Sequence, residues 1–222
     1  LCRESVTYTV RRNNIEVTAS HRFCNAAPVT IAIYYGMQSM FEGETHVLTP
    51  GGAYTDWTEV AKASTFTKQE HPLFRRYVEK NRQGYQSTWL LPDGLGDHAL
   101  LDGQDDIFIY APYGKSYHKL IGNKRIKNGD KTCWRGVYTW FETPIADDAD
   151  LLCYEGSAGG HTAVFIDCKR ACKRTLALPG YLDLRHFGTA EQNSGIRISA
   201  AGRNKLKIKA GAPGSCVLLL RE

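Results

Sequence analysis

Strict two-residue alternation of apolar and polar side chains marks both ends of the chain. Near the start, Val6, Tyr8 and Val10 alternate with polar residues, and a second alternating run begins at Ile15 after the turn residues 12–14. This period is typical of a strand with one face in a core and the other in water. The start of the chain therefore predicts a β-hairpin.

The closing segment has the same period. An alternating run from Ile196 to Ala200 leads through Gly202-Arg203-Asn204 to a second run, from Lys205 to Ala210. Its polar positions are Lys205, Lys207 and Lys209. We interpret these lysines as the solvent-exposed side of a strand, where they also discourage pairing with another sheet edge.

Further short strands are predicted between the two hairpins, separated by Gly, Asn, Asp and Pro turns. They cover residues 29–35, 106–110, 117–121, 137–142, 151–154, 163–168, 175–178 and 216–220. Residues 70–81 carry apolar side chains at three- and four-residue steps, which predicts one helix. Because strands do not alternate with long helices, a parallel α/β sheet is disfavoured. The prediction is an all-β antiparallel sandwich, of supersandwich or jelly-roll type with at most one or two short helices, as a single domain over 1–222.

The size and the net charge of the chain limit the classes of protein and of binding partner that fit it. With 222 residues, 42% of them hydrophobic, the chain can bury a full core. The 28 Lys and Arg exceed the 23 Asp and Glu by five. That excess favours an acidic partner such as a uronic-acid polysaccharide, but it is milder than the footprint of a nucleic-acid-binding protein. No apolar run reaches the ~18 to 20 residues that cross a bilayer.

The cysteines and the first residues bear on the compartment. The sequence opens on Leu1-Cys2 rather than Met, and we expect that an upstream segment has been removed. Cys168 and Cys172, two of seven cysteines, lie four apart, which is not a zinc-knuckle spacing. Buried free thiols are preferred to disulfides. The expected localisation is extracellular, cell-surface or periplasmic.

Several catalytic motifs are absent. The chain has no phosphate-binding loop with a following Lys, no dinucleotide fingerprint, no Gly-x-Ser-x-Gly elbow and no helix with paired zinc-binding histidines. Nucleotide-dependent catalysis and the common hydrolase mechanisms therefore lack support, and no cofactor is predicted.

The densest polar stretch runs from Asp93 to Asp106. Its oxygen ligands suit Ca²⁺, with Asp93, Asp97 and Asp102 as candidates, but the spacing is not that of an EF-hand. Asp and Gly also build tight turns, which is the preferred interpretation, so no metal is predicted. If the domain is instead an enzyme, the candidate acids and bases are Asp97, His98, Asp105 and His118.

Aromatic residues are the main candidates for ligand contact, because flat rings suit the apolar faces of sugars. Trp57 and Trp134 lie beside charged residues and are favoured as exposed rings, whereas Trp140, between Tyr138 and Phe141, is assigned to the core. The full set of predicted ligand contacts is Trp57, Trp89, Trp134, Tyr113, Tyr117 and Arg135.

Three segments together resemble β-sandwich domains of carbohydrate-active enzymes, and the galactose-mutarotase-like supersandwich in particular. They are the strand Asn14-Ile-Glu-Val-Thr, the element Tyr34-Tyr35-Gly36-Met37-Gln38 and the lysine-bearing closing hairpin. Enzymes of that fold use a His acid and a Glu base, and no positions here match that pair. The resemblance implies a setting in sugar chemistry, not an activity.

Three functions are compatible with these features. The first is a carbohydrate-binding or accessory domain of a secreted or cell-surface polysaccharide-processing system. The second is a sugar-acting hydrolase, lyase or epimerase on the same scaffold. The third is a structural or protein-interaction module of the cell envelope. The expected partner is a carbohydrate, in particular an acidic polysaccharide, with no nucleic acid, and the oligomeric state stays open.

Overall fold

The fold was obtained as a computed structural model and is almost entirely strand. The structure describes residues 2–40, 43–50, 52–62, 66–67, 76–91, 106–110, 115–192 and 195–220. In chain order the strands are β1 (Cys2–Arg11), β2 (Asn14–Phe23), β3 (Val29–Met40), β4 (His46–Leu48), β5 (Thr58–Glu59), β6 (Phe66–Thr67), β7 (Arg76–Asn81), β8 (Gly84–Leu90), β9 (Asp106–Tyr110), β10 (Lys115–Ile126), β11 (Lys131–Phe141), β12 (Ala146–Asp147), β13 (Leu151–Ala158), β14 (His161–Cys168), β15 (Cys172–Ala177), β16 (Phe187–Gln192), β17 (Ile196–Gly202), β18 (Lys205–Ala210) and β19 (Gly214–Leu220). A 3₁₀ turn covers Val60–Lys62.

The strands form four antiparallel sheets. A seven-stranded sheet has the order β1-β2-β11-β8-β7-β4-β5, and a four-stranded sheet the order β3-β10-β9-β6. A five-stranded sheet has the order β12-β13-β14-β19-β16, and a three-stranded sheet the order β15-β18-β17. The predicted all-β antiparallel architecture is confirmed.

Three apolar cores join these sheets face to face. One lies between the four- and seven-stranded sheets, around Met37 and Trp134. A second lies between the seven- and five-stranded sheets, around Trp89 and Phe165. The third lies between the five- and three-stranded sheets, around Ile166. The seven- and five-stranded sheets are thus covered on both faces, and the three-stranded sheet keeps one face in solvent.

This layering explains why buried and exposed residues alternate along some strands and not along others. Strand β18 is covered on one face only and alternates exposed and buried residues throughout. Strands β14 and β19 are covered on both faces and are buried almost continuously. Their apolar runs in the sequence follow from this double coverage.

Both predicted hairpins are confirmed. Strands β1 and β2 pair from Cys2↔Phe23 to Arg11↔Asn14, and Arg12 in the turn has a positive φ of 49°. Strands β17 and β18 pair from Ile196↔Ala210 onward.

The predicted helix over 70–81 is wrong where the structure describes it, because Arg76–Asn81 is strand β7. The strand is buried on both faces over Arg76–Glu79, so its apolar residues follow no clean two-residue period. Gly84, which resembles a helix stop, instead has φ +128° at the start of β8, where the β7–β8 hairpin turns. Residues 70–75 lie outside the described part.

A buried ion pair joins two of the layers. Arg76 on β7 and Asp167 on β14 are each 1% exposed at the side chain, and the guanidinium binds both carboxylate oxygens. Arg76 Nη1 also donates to the Tyr154 hydroxyl at 2.6 Å. The seven- and five-stranded sheets are therefore connected by directional bonds as well as by apolar contact.

The cysteines in the core agree with the preference for thiols. Cys153 and Cys168 are free and buried, and Cys216 lies in the same core. Cys172 Sγ donates a hydrogen bond to Cys168 Sγ at 4.0 Å, a separation too long for a disulfide bond. Burial raises the pKa of Cys153 far above that of an ordinary thiol. Within the described residues, no helix has the length and apolar character of a membrane span.

Candidate functional site

The predicted loop site falls outside the described part of the chain. This holds for Asp93, Asp97, His98, Asp102, Asp105 and Tyr113, and for the side chain of Tyr117. The calcium alternative and the enzyme alternative built on these residues stay predictions.

Two of the predicted ligand-contact tryptophans are core residues. Trp89 is 2% exposed and meets the ring of Phe165 edge-on at 5.4 Å. Trp134 is 7% exposed, and its Nε1 donates to the Tyr34 hydroxyl at 2.8 Å. The exposure predicted for Trp134 is wrong, and burial of both rings does not favour their predicted role as ligand contacts. Both side chains point into an interface between sheets.

Trp57 is half-buried and belongs to a cluster around Asp147. Its Nε1 donates to Asp147 at 3.0 Å, and the ammonium groups of Lys80 and Lys169 lie 5.3 and 5.4 Å from its ring centroid. Burial raises the pKa of Asp147, but bonds from Lys169, Trp57, Lys80 and Tyr85 outweigh burial and hold it well below its usual value. The ring of Trp57 thus already binds two cations within the protein.

Arg135 is half-buried and bound to another residue of the protein, whereas His118 is fully buried. Arg135 Nη2 donates to Glu16 Oε1 at 2.7 Å across neighbouring strands. His118 is 1% exposed, and its ring stacks on Tyr77 at 5.3 Å between centroids. A buried ring cannot exchange protons with a sugar held at the surface, so the position of His118 does not favour its candidate role as acid or base.

His118 borders a buried polar cluster that the sequence did not reveal. Ser39 Oγ donates to Glu79 Oε1 at 2.7 Å and lies 3.2 Å from the Tyr77 hydroxyl. Burial raises the pKa of Glu79 to about 7, although hydrogen bonds with Ser39 and Ser116 partly oppose this shift. The cluster lies between the seven- and four-stranded sheets and contributes no surface for a ligand.

The open face of the three-stranded sheet carries positive charge alone. We call it the basic face, made of Lys173, Arg197, Lys205, Lys207 and Lys209, with Thr175 and Ser199 between them. Lys209 pairs with Lys173 on one side and with Arg197 on the other, so three cations form one row across three strands. Lys207 likewise lies between Thr175 and Ser199. The exposed positions include no acidic residue.

This arrangement is electrostatically costly without a ligand. Like charges directly opposite one another on neighbouring strands destabilise a sheet. None of the five cations of the basic face has an ion pair with a described residue, whereas Arg174, next to Lys173 in the chain, is bound by Asp148 and Asp150. A groove of about 600 Å³ is lined in part by four of these cations, Lys173, Arg197, Lys207 and Lys209. The face therefore attracts anions and has room for them.

The explanation of the lysines by edge protection is wrong. Strand β18 is the central strand of its sheet, hydrogen-bonded to β15 on one side and to β17 on the other. A central strand has no open edge to protect. The solvent exposure predicted for Lys205, Lys207 and Lys209 is confirmed.

The most exposed described tryptophan is Trp140, which the sequence assigns to the core. It is 39% exposed, and its ring is stacked with Tyr138 at 5.9 Å between centroids. Tyr8, on the edge strand β1, is exposed on the same side of the seven-stranded sheet. The core assignment of Trp140 is therefore wrong, and an exposed aromatic surface exists at a different residue from those predicted.

Comparison with known proteins adds no assignment. No protein-family model, no curated protein and no solved structure matches the chain. The resemblance to the galactose-mutarotase-like supersandwich stays a prediction.

Proposed function

We propose that this protein binds an acidic polysaccharide along the basic face, as part of a secreted or cell-surface polysaccharide-processing system. The observation that carries the proposal is the row Lys173, Lys209 and Arg197, which crosses three paired strands with no acid among the exposed positions. An anionic chain lying over this row removes the repulsion between its members.

The spacing of the cations suits an extended polyanion. Neighbouring strands lie about 5 Å apart, and alternate residues along one strand about 7 Å apart. Lys205, Lys207 and Lys209 therefore present a line of charges along β18, and Lys173 and Arg197 widen it at one end. The hydroxyls of Thr175 and Ser199 flank Lys207 and offer hydrogen bonds to sugar hydroxyls.

The same face is less suited to nucleic acid. Proteins that bind single strands add aromatic rings on which bases stack, and the basic face has none. The lack of stacking rings on the basic face favours a carboxylated or sulfated glycan over a single-stranded nucleic acid.

The proposal predicts that the variant Lys207→Glu/Lys209→Glu binds polygalacturonate and heparin about tenfold more weakly, or worse. Each exposed ion pair contributes up to about 1 kcal/mol, and 1.4 kcal/mol is a factor of ten. Affinity electrophoresis or biolayer interferometry at several salt concentrations measures the change. Wild-type binding should also weaken as salt rises.

A matched control distinguishes binding at the basic face from a general effect of the net charge of the protein. Lys127→Glu/Lys131→Glu makes the same charge change at two exposed positions, one in the β10–β11 turn and one at the start of β11, and should leave binding unchanged. Equal weakening by both variants contradicts the proposal. So does loss of binding in Trp140→Ala alone, which assigns the glycan to the aromatic surface, or tighter binding of a single-stranded oligonucleotide than of either glycan.

A further inference from the structure

Three metal-ligating side chains converge at the edge of the seven-stranded sheet, away from the basic face. The donor atoms of Glu44, His46 and Glu59 all lie within 4.8 Å of one another. The group combines one imidazole nitrogen with two carboxylates. We propose that these three residues bind a divalent transition-metal ion of the zinc type.

The backbone fixes two of the ligands opposite each other. His46 on β4 and Glu59 on β5 are direct cross-strand partners. The pairing continues one residue beyond the strands, where Val60 N donates to Thr45 O at 2.9 Å. Cβ atoms of directly opposed residues lie about 5 Å apart, which suits two ligands of one ion.

The third ligand follows from the alternation of the extended chain. Glu44 lies two residues before His46, and Thr45 between them is buried. Glu44 and His46 are therefore on the outer side together. Glu44 is exposed, and His46 and Glu59 are half-buried, so the ligands are both anchored and open to solvent.

The donor set selects the class of metal. Calcium and magnesium take oxygen ligands, whereas an imidazole with carboxylates suits zinc and its neighbours. Zinc–ligand distances of about 2.0 to 2.2 Å place donors somewhat closer than 4.8 Å, and the three side chains have the freedom to close that gap. Three protein ligands leave a fourth position for water or for a group of a bound molecule.

Two lysines lie near these ligands. Lys62 Nζ is 2.7 Å from Glu59 Oε2. The Lys62 side chain is 70% exposed, so a metal ion can displace it at little cost. Lys80, which pairs with His46 across β4 and β7, directs its ammonium to Asp147 at 2.9 Å.

Isothermal titration of the full chain with Zn²⁺ tests the site. All proteins carry Cys2→Ser and Cys24→Ser, because these exposed thiols also attract zinc. We expect one ion per chain, at least about tenfold weaker binding after His46→Ala or Glu59→Gln, and tighter binding after Lys62→Ala, which removes the competing cation. His161→Ala, at an exposed histidine, is the control and should bind as the parent does.

The same titrations can overturn the inference. Absence of Zn²⁺ binding at millimolar metal, or unchanged binding in His46→Ala and Glu59→Gln, does so. Ca²⁺ binding that is equally strong and independent of His46 does so as well, because it indicates a site of oxygen ligands alone. Circular dichroism of each variant and the milder His46→Gln separate ligand loss from misfolding. None of these results depends on polysaccharide binding.

Discussion

Replacing Arg76 by methionine is expected to lower the free energy of unfolding by about 3 to 5 kcal/mol. The substitution leaves the Asp167 carboxylate, which is 1% exposed, without the guanidinium that binds both its oxygens. A buried charge without its partner loses hydration and receives nothing in exchange. Tyr154 keeps its bond to Ser87 at 2.7 Å, so the loss centres on Asp167. Urea unfolding at pH 7 measures the change.

A second variant tests whether the loss in free energy of unfolding comes from the unpaired charge of Asp167. Arg76→Met/Asp167→Leu replaces both partners with apolar side chains and should recover most of the lost stability, because such exchanges are often neutral. Arg185→Met is the exposed control. Its partner Asp183 is also bound by Arg203, and an exposed pair contributes about 1 kcal/mol at most. If Arg76→Met costs no more than Arg185→Met, the buried pair does not stabilise the fold as described.

The position of the tryptophans shows what alternation can and cannot predict. Trp134, Tyr138 and Trp140 have even numbers on β11, so the sequence places them on one face, and the structure agrees. Alternation does not tell how far along the strand the covering sheet extends. Trp134 lies under the four-stranded sheet, whereas Trp140 near the strand end is exposed. The same limit explains why Tyr8 and Val10 on edge strand β1 are exposed despite their apolar period.

The basic face was predicted in part. Local spacing was enough to assign Lys205, Lys207 and Lys209 to a solvent-exposed side. It was not enough to place β18 in the centre of its sheet, since that depends on pairing with β15, about thirty residues earlier in the chain. Only this long-range pairing brings Lys173 beside Lys209. The three lysines of β18 are typical of an ordinary exposed strand when that strand is considered alone. Together with Lys173 on β15 and Arg197 on β17 they form a cationic surface across three strands.

Glu79 illustrates a different limit. In the sequence it lies between Val78 and Lys80, in the segment 70–81 that is predicted to be a helix. In the structure it is 4% exposed and is held by Ser39 from a strand forty residues earlier. No feature of the neighbouring sequence indicates that β3 of the four-stranded sheet covers this residue. Buried polar groups of this kind are visible only once the layers are assembled.

The burial of Glu79 predicts that the contribution of this one group to the free energy of unfolding falls as pH rises from about 4.5 to about 7. An unfolded Glu releases its proton near 4.5, whereas the folded carboxyl keeps it up to about 7. Between these values the folded state binds more protons than the unfolded state, so raising the pH lowers the free energy of unfolding. The slope is at most about 1.4 kcal/mol per pH unit, which amounts to about 3 kcal/mol over the interval.

Glu79→Gln isolates this contribution, because an amide resembles the protonated carboxyl and does not titrate. The variant and the wild type should have similar stability near pH 4.5, and the variant should be more stable above pH 7 by up to about 3 kcal/mol. Urea unfolding at pH 5, 6, 7 and 8 gives the difference, in which the titration of the histidines cancels. Glu142→Gln, at an exposed position, should follow the wild type. Parallel curves for wild type and Glu79→Gln would show that Glu79 is ionised inside the fold, and the cluster with Ser39 and Tyr77 would then have to stabilise a buried charge.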